Sequence, residues 1–290
     1  MLKRIDRTNF QPAVKWTGSK RSQVDEILKH FPIEIDTYWE PFCGGCSMLM
    51  GLILTPENEI KVNKFICRDL NSDLINLWNV IKEAPIELSN VYTKMWSELN
   101  NQTDRAAMRE YFNKVRSEFN QDHDPYKFLF IMRTTTNGMY RANTKGEFNN
   151  SFHITRNGIE PDKLRNILCF WSDRLNKNNV QFECGDYQEI INQVKPNDFV
   201  YLDPPYANTK KHSMYGFSTE KQELFNFLRK LPCPYIMSYD GTSGGVDNTY
   251  AVPSDVYDEH LYIKSGNSSF KRTIGKSNDS VVYESLYIKK

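Results

Sequence analysis

Short strand-like runs at both ends of the chain alternate with helix-patterned segments, and this alternation constrains the fold more than any other feature. Residues 37–42 (TYWEPF) read as a strand closed by Pro41 and the Gly44-Gly45 pair, with a helix starting near Ser47. Residues 62–69 (VNKFICRD) alternate and stop on an acid, as suits a second strand. From Ser72 the run SDLINLWNVIKEAP predicts a helix with a serine cap and a stop at Pro85. Farther on, 180–183 and 199–202 read as short strands, 221–231 as a helix, 235–238 as a strand and 281–288 as a last alternating strand. Strands separated by helices imply an α/β sheet, and open sheets of that kind bind ligands beyond the carboxyl ends of their strands.

The middle of the chain breaks this rhythm. Over 86–133 the apolar residues fall at helical spacing, as in Leu88, Val91 and Met95, and again in Met108, Phe112 and Val115. Residues 134–158 are polar, rich in Asn and Gly, and set Arg and Lys between aromatics. Turn signals at Asn137-Gly138 and Lys145-Gly146 predict an exposed hairpin or loop there. A further helix follows over 160–175, with Pro161 in its first turn. The expected organisation is a sheet domain of 1–84 and 176–290, interrupted by a helical and hairpin insert of 85–175.

Composition excludes several classes. The 290 residues are 39% hydrophobic and 13% aromatic, which is globular rather than disordered. No run of about 18 apolar residues suggests a membrane span, and the start MLKRIDRTNFQP lacks the apolar stretch of a secretion signal. Six scattered cysteines in such a chain read as reduced thiols, so a cytoplasmic location is expected, in a bacterial or phage-infected cell. Cys43 and Cys46 have CxxC spacing, but no second pair or His pair accompanies them, so no metal is expected. Net charge is only +1, yet the charges segregate: residues 1–29 carry seven basic groups against three acids, and 178–203 carry five acids against Lys195. A neutral chain with basic segments can hold a polyanion on one face.

The sharpest chemical signal is Asp203-Pro204-Pro205-Tyr206, which follows the apolar run FVYL. Two prolines fix an extended segment and offer no N–H. A carboxylate and a nearby carbonyl can then accept both hydrogens of one amino group, with Tyr206 as a flat face beside them. The same tetrapeptide also suits a plain strand end turning through two prolines. Gly44-Gly45 lets a cofactor approach the backbone, and Asp69 follows 25 residues after Gly44, near the spacing of a ribose-binding acid. The GxGxxG fingerprint is missing, which favours a nucleoside cofactor without a pyrophosphate.

KWTGSK at 15–20, EPFCGG at 40–45, RDLNSDLI at 68–75, NGMYRANTKGEFN at 137–149 and DPPY at 203–206 occur in that order. Together they resemble the Dam-type DNA adenine-N6 methyltransferases, over most of the chain from about Gln11 onward. The resemblance implies a Rossmann-like catalytic domain that binds S-adenosylmethionine (SAM), with the 85–175 insert recognising double-stranded DNA. It also implies extrusion of the target adenine, because a base inside a duplex is out of reach.

Roles carry over by position. The resemblance gives Asp203, Pro204, Pro205 and Tyr206 the target amine, with Asp203 also touching SAM. Trp16 and Lys20 match the segment that closes over SAM, Lys20 facing its methionine carboxylate. Glu40, Phe42, Gly44 and Gly45 line the cofactor loop, Asp69 takes the ribose and Asp186 the cofactor's adenine. In the hairpin, Arg141 and Asn143 read base edges and Met139 or Tyr140 wedges into the stack. Arg133, Asn137 and Lys145 contact phosphates, and Lys15 lies near the DNA. Two small residues, Ser19 and Cys46, stand where glycine is usual. Asn150 and Ser151 replace the Val-Pro of relatives that methylate GATC. The alternatives are the same chemistry on cytosine N4, RNA or a protein amide, and a non-catalytic DNA-binding relative. The Asp of DPPY favours adenine, and the intact Lys20, Asp69 and Asp203 favour catalysis.

Overall fold

A computed structural model describes residues 11–205, 221–243, 246–267 and 281–290. Tyr206 lies outside the described residues, as do the cations Lys3, Arg4, Arg7, Lys271, Arg272 and Lys276. In chain order the elements are α1 (Val24–Ile27), β1 (Glu34–Glu40), α2 (Ser47–Leu54), β2 (Lys61–Asp69), α3 (Ser72–Glu83), α4 (Pro85–Asn100), α5 (Arg105–Asp122), α6 (Pro125–Thr134) and α7 (Pro161–Lys177). Then come β3 (Gln181–Cys184), β4 (Phe199–Leu202), α8 (Lys221–Lys230), β5 (Tyr235–Ser243), β6 (Val246–Asp247), β7 (Glu259–Asn267) and β8 (Val281–Lys289).

The sheet runs β3-β2-β1-β4-β5-β8-β7, with β6 paired to the end of β5. The first five strands are parallel, and β8 and β7 continue the sheet antiparallel. This is the α/β sheet expected from the alternating pattern, with the Rossmann-like character that the resemblance implied. Both faces of the sheet are covered. Phe65, Leu74 and Tyr201 belong to the core on one side, Ile66, Leu202 and Phe227 to the core on the other. Burial on two faces explains why 199–202 is an unbroken apolar run.

Local chemistry sets the helix ends. The cap of α3 is Asn71, not Ser72: its backbone is extended and its side chain accepts from Leu74 N at 3.0 Å. Pro85 both follows α3 and opens α4, because a proline N1 removes an N–H that would have no helical partner. Asp104 and Asp124 cap α5 and α6, accepting from Ala107 N and Tyr126 N at 2.8 Å. The helical block is therefore three helices, each started by its own cap or proline.

The insert does not build a core of its own. Leu88, Tyr92, Phe112, Phe128 and Trp171 join Phe65 and Leu74 in one continuous core. Trp78 of α3 packs against Trp171 of α7 at 4.9 Å between ring centroids. Helix α7 thus packs against α3 as well as against α4, and the chain passes from it into β3. Strand β7 escaped the sequence pattern because it is the edge strand. In EHLYIKSGN only Leu261 and Ile263 are apolar on the covered side, and charge elsewhere is usual at an edge.

Candidate active site

The carboxyl ends of β1, β2 and β4 bring Glu40, Asp69 and Asp203 to one edge of the sheet. Glu40 pairs with Cys67, two residues before Asp69, and Leu202 is the last residue of β4. Strand β8 enters this edge from the opposite direction, so its early residue Glu284 arrives there too. Lys20 lies between the last two acids. Its Nζ is 2.9 Å from Asp203 Oδ1 and 3.2 Å from Glu284 Oε2, and the residue is only 4% exposed. It sits in the short turn Lys20–Ser22, which Ser19 caps by accepting from Arg21 N. The Ser19 hydroxyl is also 2.8 Å from that of Ser47 at the start of α2. The serine that replaces a usual glycine therefore has a partner.

Burial pushes the Asp203 carboxyl up to about 6, against the pull of Lys20 and with help from Glu284. Burial also raises Glu284, but Lys20 and the bond from Ser265 outweigh it and hold that acid below its ordinary value. Pro204 is buried and Pro205 partly so. Glu284 was missed from sequence. Its one signal is periodic: it stands in register with Leu286 and Ile288, which belong to the core, and a charged residue in a core-facing row calls for a partner.

Asp69 is held by backbone. Its Oδ2 accepts from Gly44 N and its Oδ1 from Asn71 N, both at 3.0 Å, so one carboxylate ties the glycine loop to the cap of α3. The glycine pair makes room for an aromatic ring. Gly44 has φ +46, and a Cβ there would sit 3.1 Å from Trp16 Cδ1; one on Gly45 would sit 3.1 Å from Trp16 Cβ. Trp16 in turn stacks on Tyr140 at 5.8 Å. The N-terminal segment, the glycine loop and the hairpin thus meet at one tryptophan. Cys43 and Cys46 close this loop as a tight turn, Cys46 N donating to Cys43 O at 2.7 Å, and burial pushes the Cys43 thiol up to about 12. Among the described residues no group of three His, Cys, Asp or Glu is arranged to hold a metal ion. No helix among them is long and apolar enough to cross a membrane.

Glu40 is an anchor inside the site. Its Oε2 accepts from Tyr38 OH at 2.8 Å and from Leu49 N at 3.0 Å, which fixes α2 against β1. Burial raises its carboxyl to about 8, the two hydrogen bonds opposing and the charges of Asp203 and Asp69 adding to the rise. The folded chain therefore keeps a proton here that the unfolded chain releases near its ordinary 4.5. That stabilisation is complete below 4.5 and is lost as pH rises through 8. Glu40→Gln keeps an acceptor for both donors and removes the titration. It is expected to raise Tm at pH 9, by roughly 2–4 °C per kcal/mol recovered, and to leave Tm at pH 4 nearly unchanged. A variant that melts in parallel with wild type at both pH values contradicts this placement.

The remaining cofactor candidates lie at the rim. Phe42 packs on Tyr187 at 5.1 Å between centroids. Asp186 Oδ1 accepts from Gln188 N at 2.8 Å, capping the turn Tyr187–Asn192. Arg68 stands beneath that turn, bonded to Asp186 O, Glu189 and Glu183. Asp198 accepts from Thr37 N and Trp39 Nε1. Several acids of the 178–203 run thus brace the sheet rather than form a charged face.

In the hairpin the expected DNA contacts divide. Arg141 and Lys145 are exposed. Asn137 is exposed in a left-handed conformation at the root, and Met139 is half-buried beside it. Three others are not placed as expected. Arg133 turns inward to the carbonyls of Pro12 and Ala13, and burial lowers it to about 10. Tyr140 is 7% exposed and packs on Trp16, Phe128 and Phe148, so it fills the core where a wedge was expected. Asn143 builds the turn: its Oδ1 accepts from Lys145 N and Glu147 N and its Nδ2 donates to Glu147. Asn150 is a brace as well, donating to Thr136 O and Met139 O. Lys15 lies against Gly138 at the root; burial lowers its ammonium, with Arg156 and Arg133 adding to the effect. Arg156, exposed and absent from the sequence-based candidates, therefore shares a basic patch with Lys15.

The family model of the D12 class N6 adenine-specific DNA methyltransferases matches residues 16–268. The chain is 32% identical over 242 residues to the type II methyltransferase M.MjaIII of Methanocaldococcus jannaschii, covering 76% of this chain and 80% of that one. It is 28% identical over 231 residues to the type II methyltransferase M1.LlaDCHI of Lactococcus lactis subsp. cremoris, with 75% of each covered. A DNA adenine methylase of Serratia marcescens is 31% identical over 198 residues, 67% of this chain and 66% of its own.

Proposed function

Because the chain belongs to the D12 class of N6 adenine-specific DNA methyltransferases, we propose that the acidic pocket around Lys20 and Asp203 is where an adenine extruded from double-stranded DNA receives its methyl group. Site-specific methylation of adenine in DNA comes with the family. The double-stranded substrate, the extruded base, the residue roles and a cytoplasmic place of action are the finer reading. The observation that supports it best is the meeting of Lys20 and Asp203, residues far apart in sequence, at 2.9 Å on the carboxyl edge of the sheet.

The donor set suits SAM. Asp203 and Glu284 flank Lys20 and Asp69 lies at the same edge of the sheet, and this excess of carboxylate over one ammonium favours a cationic guest, while Glu40 keeps its proton up to about 8. When bound, SAM supplies an electrophilic methyl carbon on a sulfonium. Asp69 would hold its ribose, Phe42 would pack on its ring system, and Asp186 would face its adenine.

The chain's own groups act on the target base. The N6 lone pair of adenine is delocalised into the ring and is a weak nucleophile. Asp203, largely ionised above pH 6, accepts one N6 hydrogen and the Pro204 carbonyl accepts the other. That pairing favours a pyramidal nitrogen whose lone pair points outward. Positioning and fixed dipoles account for most of such an effect, so Asp203 serves without being a strong base. Tyr206 would stack on the extruded ring and offset part of the few kcal/mol that extrusion costs.

Arg141 and Lys145 in the hairpin, with Lys15 and Arg156 at its root, form the surface that meets DNA. Arginine commonly reads guanine through two hydrogen bonds, worth about 1–3 kcal/mol of discrimination. Arg141→Ala is expected to relax sequence choice by that amount while total binding falls little, measured by competition between cognate and substituted duplexes. Weakening that is uniform across sequences, with a shallower salt dependence, would make it a phosphate contact instead. The test of the function itself is long-read sequencing of DNA from cells producing the protein. N6-methyladenine in one recurring context supports the reading, and unmodified DNA or N4-methylcytosine overturns it.

A further inference from the structure

Glu284 has no role in the chemistry described so far, yet both strand pairings of β8 are irregular at or next to it. On one side, β5 and β8 pair Tyr239 with Ser285 and then Thr242 with Tyr283, so Asp240 and Gly241 together oppose Glu284. On the other, β7 and β8 pair Lys264 with Tyr283 and then Gly266 with Val282, so Ser265 is an extra residue. One bulge thus faces Glu284 directly and a second follows just beyond Tyr283 on the other side, and bulges re-aim side chains next to active sites. The approach is close: a Cβ on Gly241 would sit 2.8 Å from Glu284 Cα and 2.2 Å from Tyr283 O. The bulged Ser265 donates its hydroxyl to Glu284 Oε1 at 2.9 Å. The other oxygen, Oε2, faces Lys20 Nζ at 3.2 Å, and the carboxylate side chain is only 14% exposed.

We propose that Glu284 is a positioning residue for methyl transfer, which acts through Lys20 by sharing its ammonium with Asp203. This rests on the reading of Asp203 as the group that holds the target amine. A lysine paired with Asp203 alone would neutralise it and engage its oxygen fully, leaving a poor acceptor for an amine hydrogen. Glu284 draws the ammonium toward the far side and adds a second negative charge nearby. Asp203 then keeps a proton affinity near neutrality and a free-energy preference for accepting further hydrogen bonds. Among the described residues, the charged and titratable groups facing Asp203 are Lys20 from the N-terminal turn, Glu284 from β8 and Glu40 from β1, with Asp69 of β2 beyond Glu40. Asp240 stands in the β5 bulge opposite Glu284.

The test compares wild type with Glu284→Gln, which keeps the shape and an acceptor for Lys20 but removes the charge. Two unit charges a few ångströms apart in a partly buried site interact strongly enough to move a titration by about one pH unit. The Asp203 carboxyl, followed by carbon NMR in protein labelled at aspartate without donor or DNA, is expected to titrate about one unit lower in the variant. The acid limb of single-turnover methyl transfer should move down with it, with a lower plateau and an unchanged KM for DNA. Glu284→Asp, which retains the charge, should leave the limb in place. Ser265→Ala puts the fold at less risk and should move Asp203 the other way, because a less stabilised Glu284 anion holds Lys20 more firmly. A titration of Asp203 identical in wild type, Glu284→Gln and Ser265→Ala overturns the proposal, even if Glu284→Gln melts earlier. If Asp203→Asn itself retains full activity, the reading of Asp203 fails instead, so the two failures are distinguishable.

Discussion

Asp203→Asn is expected to lower the single-turnover rate of methyl transfer by on the order of 10²–10³-fold, the usual effect of removing one preorganised polar group from a transition state. DNA affinity should stay within a few-fold of wild type. The amide keeps the size of the carboxylate, so the prolines that follow are undisturbed. It presents one oxygen where two stood, and the Lys20 ammonium loses the charge of its 2.9 Å partner. The hydrogen bond to the target amine weakens and with it the nucleophilicity of N6. Rapid quench with a saturating donor isolates this step from product release. A rate equal to wild type would remove Asp203 from the chemistry.

Asp69→Ala is expected to weaken donor binding by about 10–100-fold, as for the loss of hydrogen bonds to a charged group. Two effects add. The ribose loses its acceptor, and Gly44 N and Asn71 N lose theirs. The second effect loosens the loop that packs on Trp16 and the cap that starts α3, so a lower Tm should accompany the weaker binding. Titration calorimetry and melting together separate the two. Asp69→Asn keeps one acceptor for the loop and should recover most of the Tm but little of the affinity. Unchanged donor affinity in both variants would contradict the ribose role.

What the sequence conveyed and what it concealed follow from range. The strand at 199–202 was legible because a doubly covered sheet demands an apolar run, and that at 62–69 because it alternates and stops on an acid; their ends marked the edge of the sheet where the acids gather. DPPY and the glycine pair were legible because proline and glycine carry their geometry with them. The partners of those residues were not. Lys20 was expected to face a cofactor carboxylate, and the fold sets it between Asp203 and Glu284, both more than 180 residues away. The glycine pair reads as a cofactor contact, and in the fold the space a Cβ would take there is bounded by Trp16. In the hairpin the residue types alone misled. Tyr140 and Asn143 have the chemistry of DNA readers, but a tyrosine between Trp16 and Phe148 becomes core, and an asparagine at a tight turn hydrogen-bonds its own backbone. Arg133 likewise serves the carbonyls of the segment it crosses. Arg141 and Lys145 stay exposed, and the surface proposed to meet DNA gains Arg156, whose closeness to Lys15 only the folded chain reveals.

The claim on which the rest depends is that one pocket, at the carboxyl edge of the parallel strands, takes both the donor and an extruded adenine. A crystal structure of the protein with S-adenosylhomocysteine and a cognate duplex tests it most directly. The expected result is a single adenine turned out of the helix, its N6 within hydrogen-bond distance of Asp203 and the Pro204 carbonyl, with the homocysteine sulfur on the opposite side of the nitrogen. A duplex that stays fully stacked over the hairpin, or a pocket filled by another base with Asp203 turned away, would contradict it.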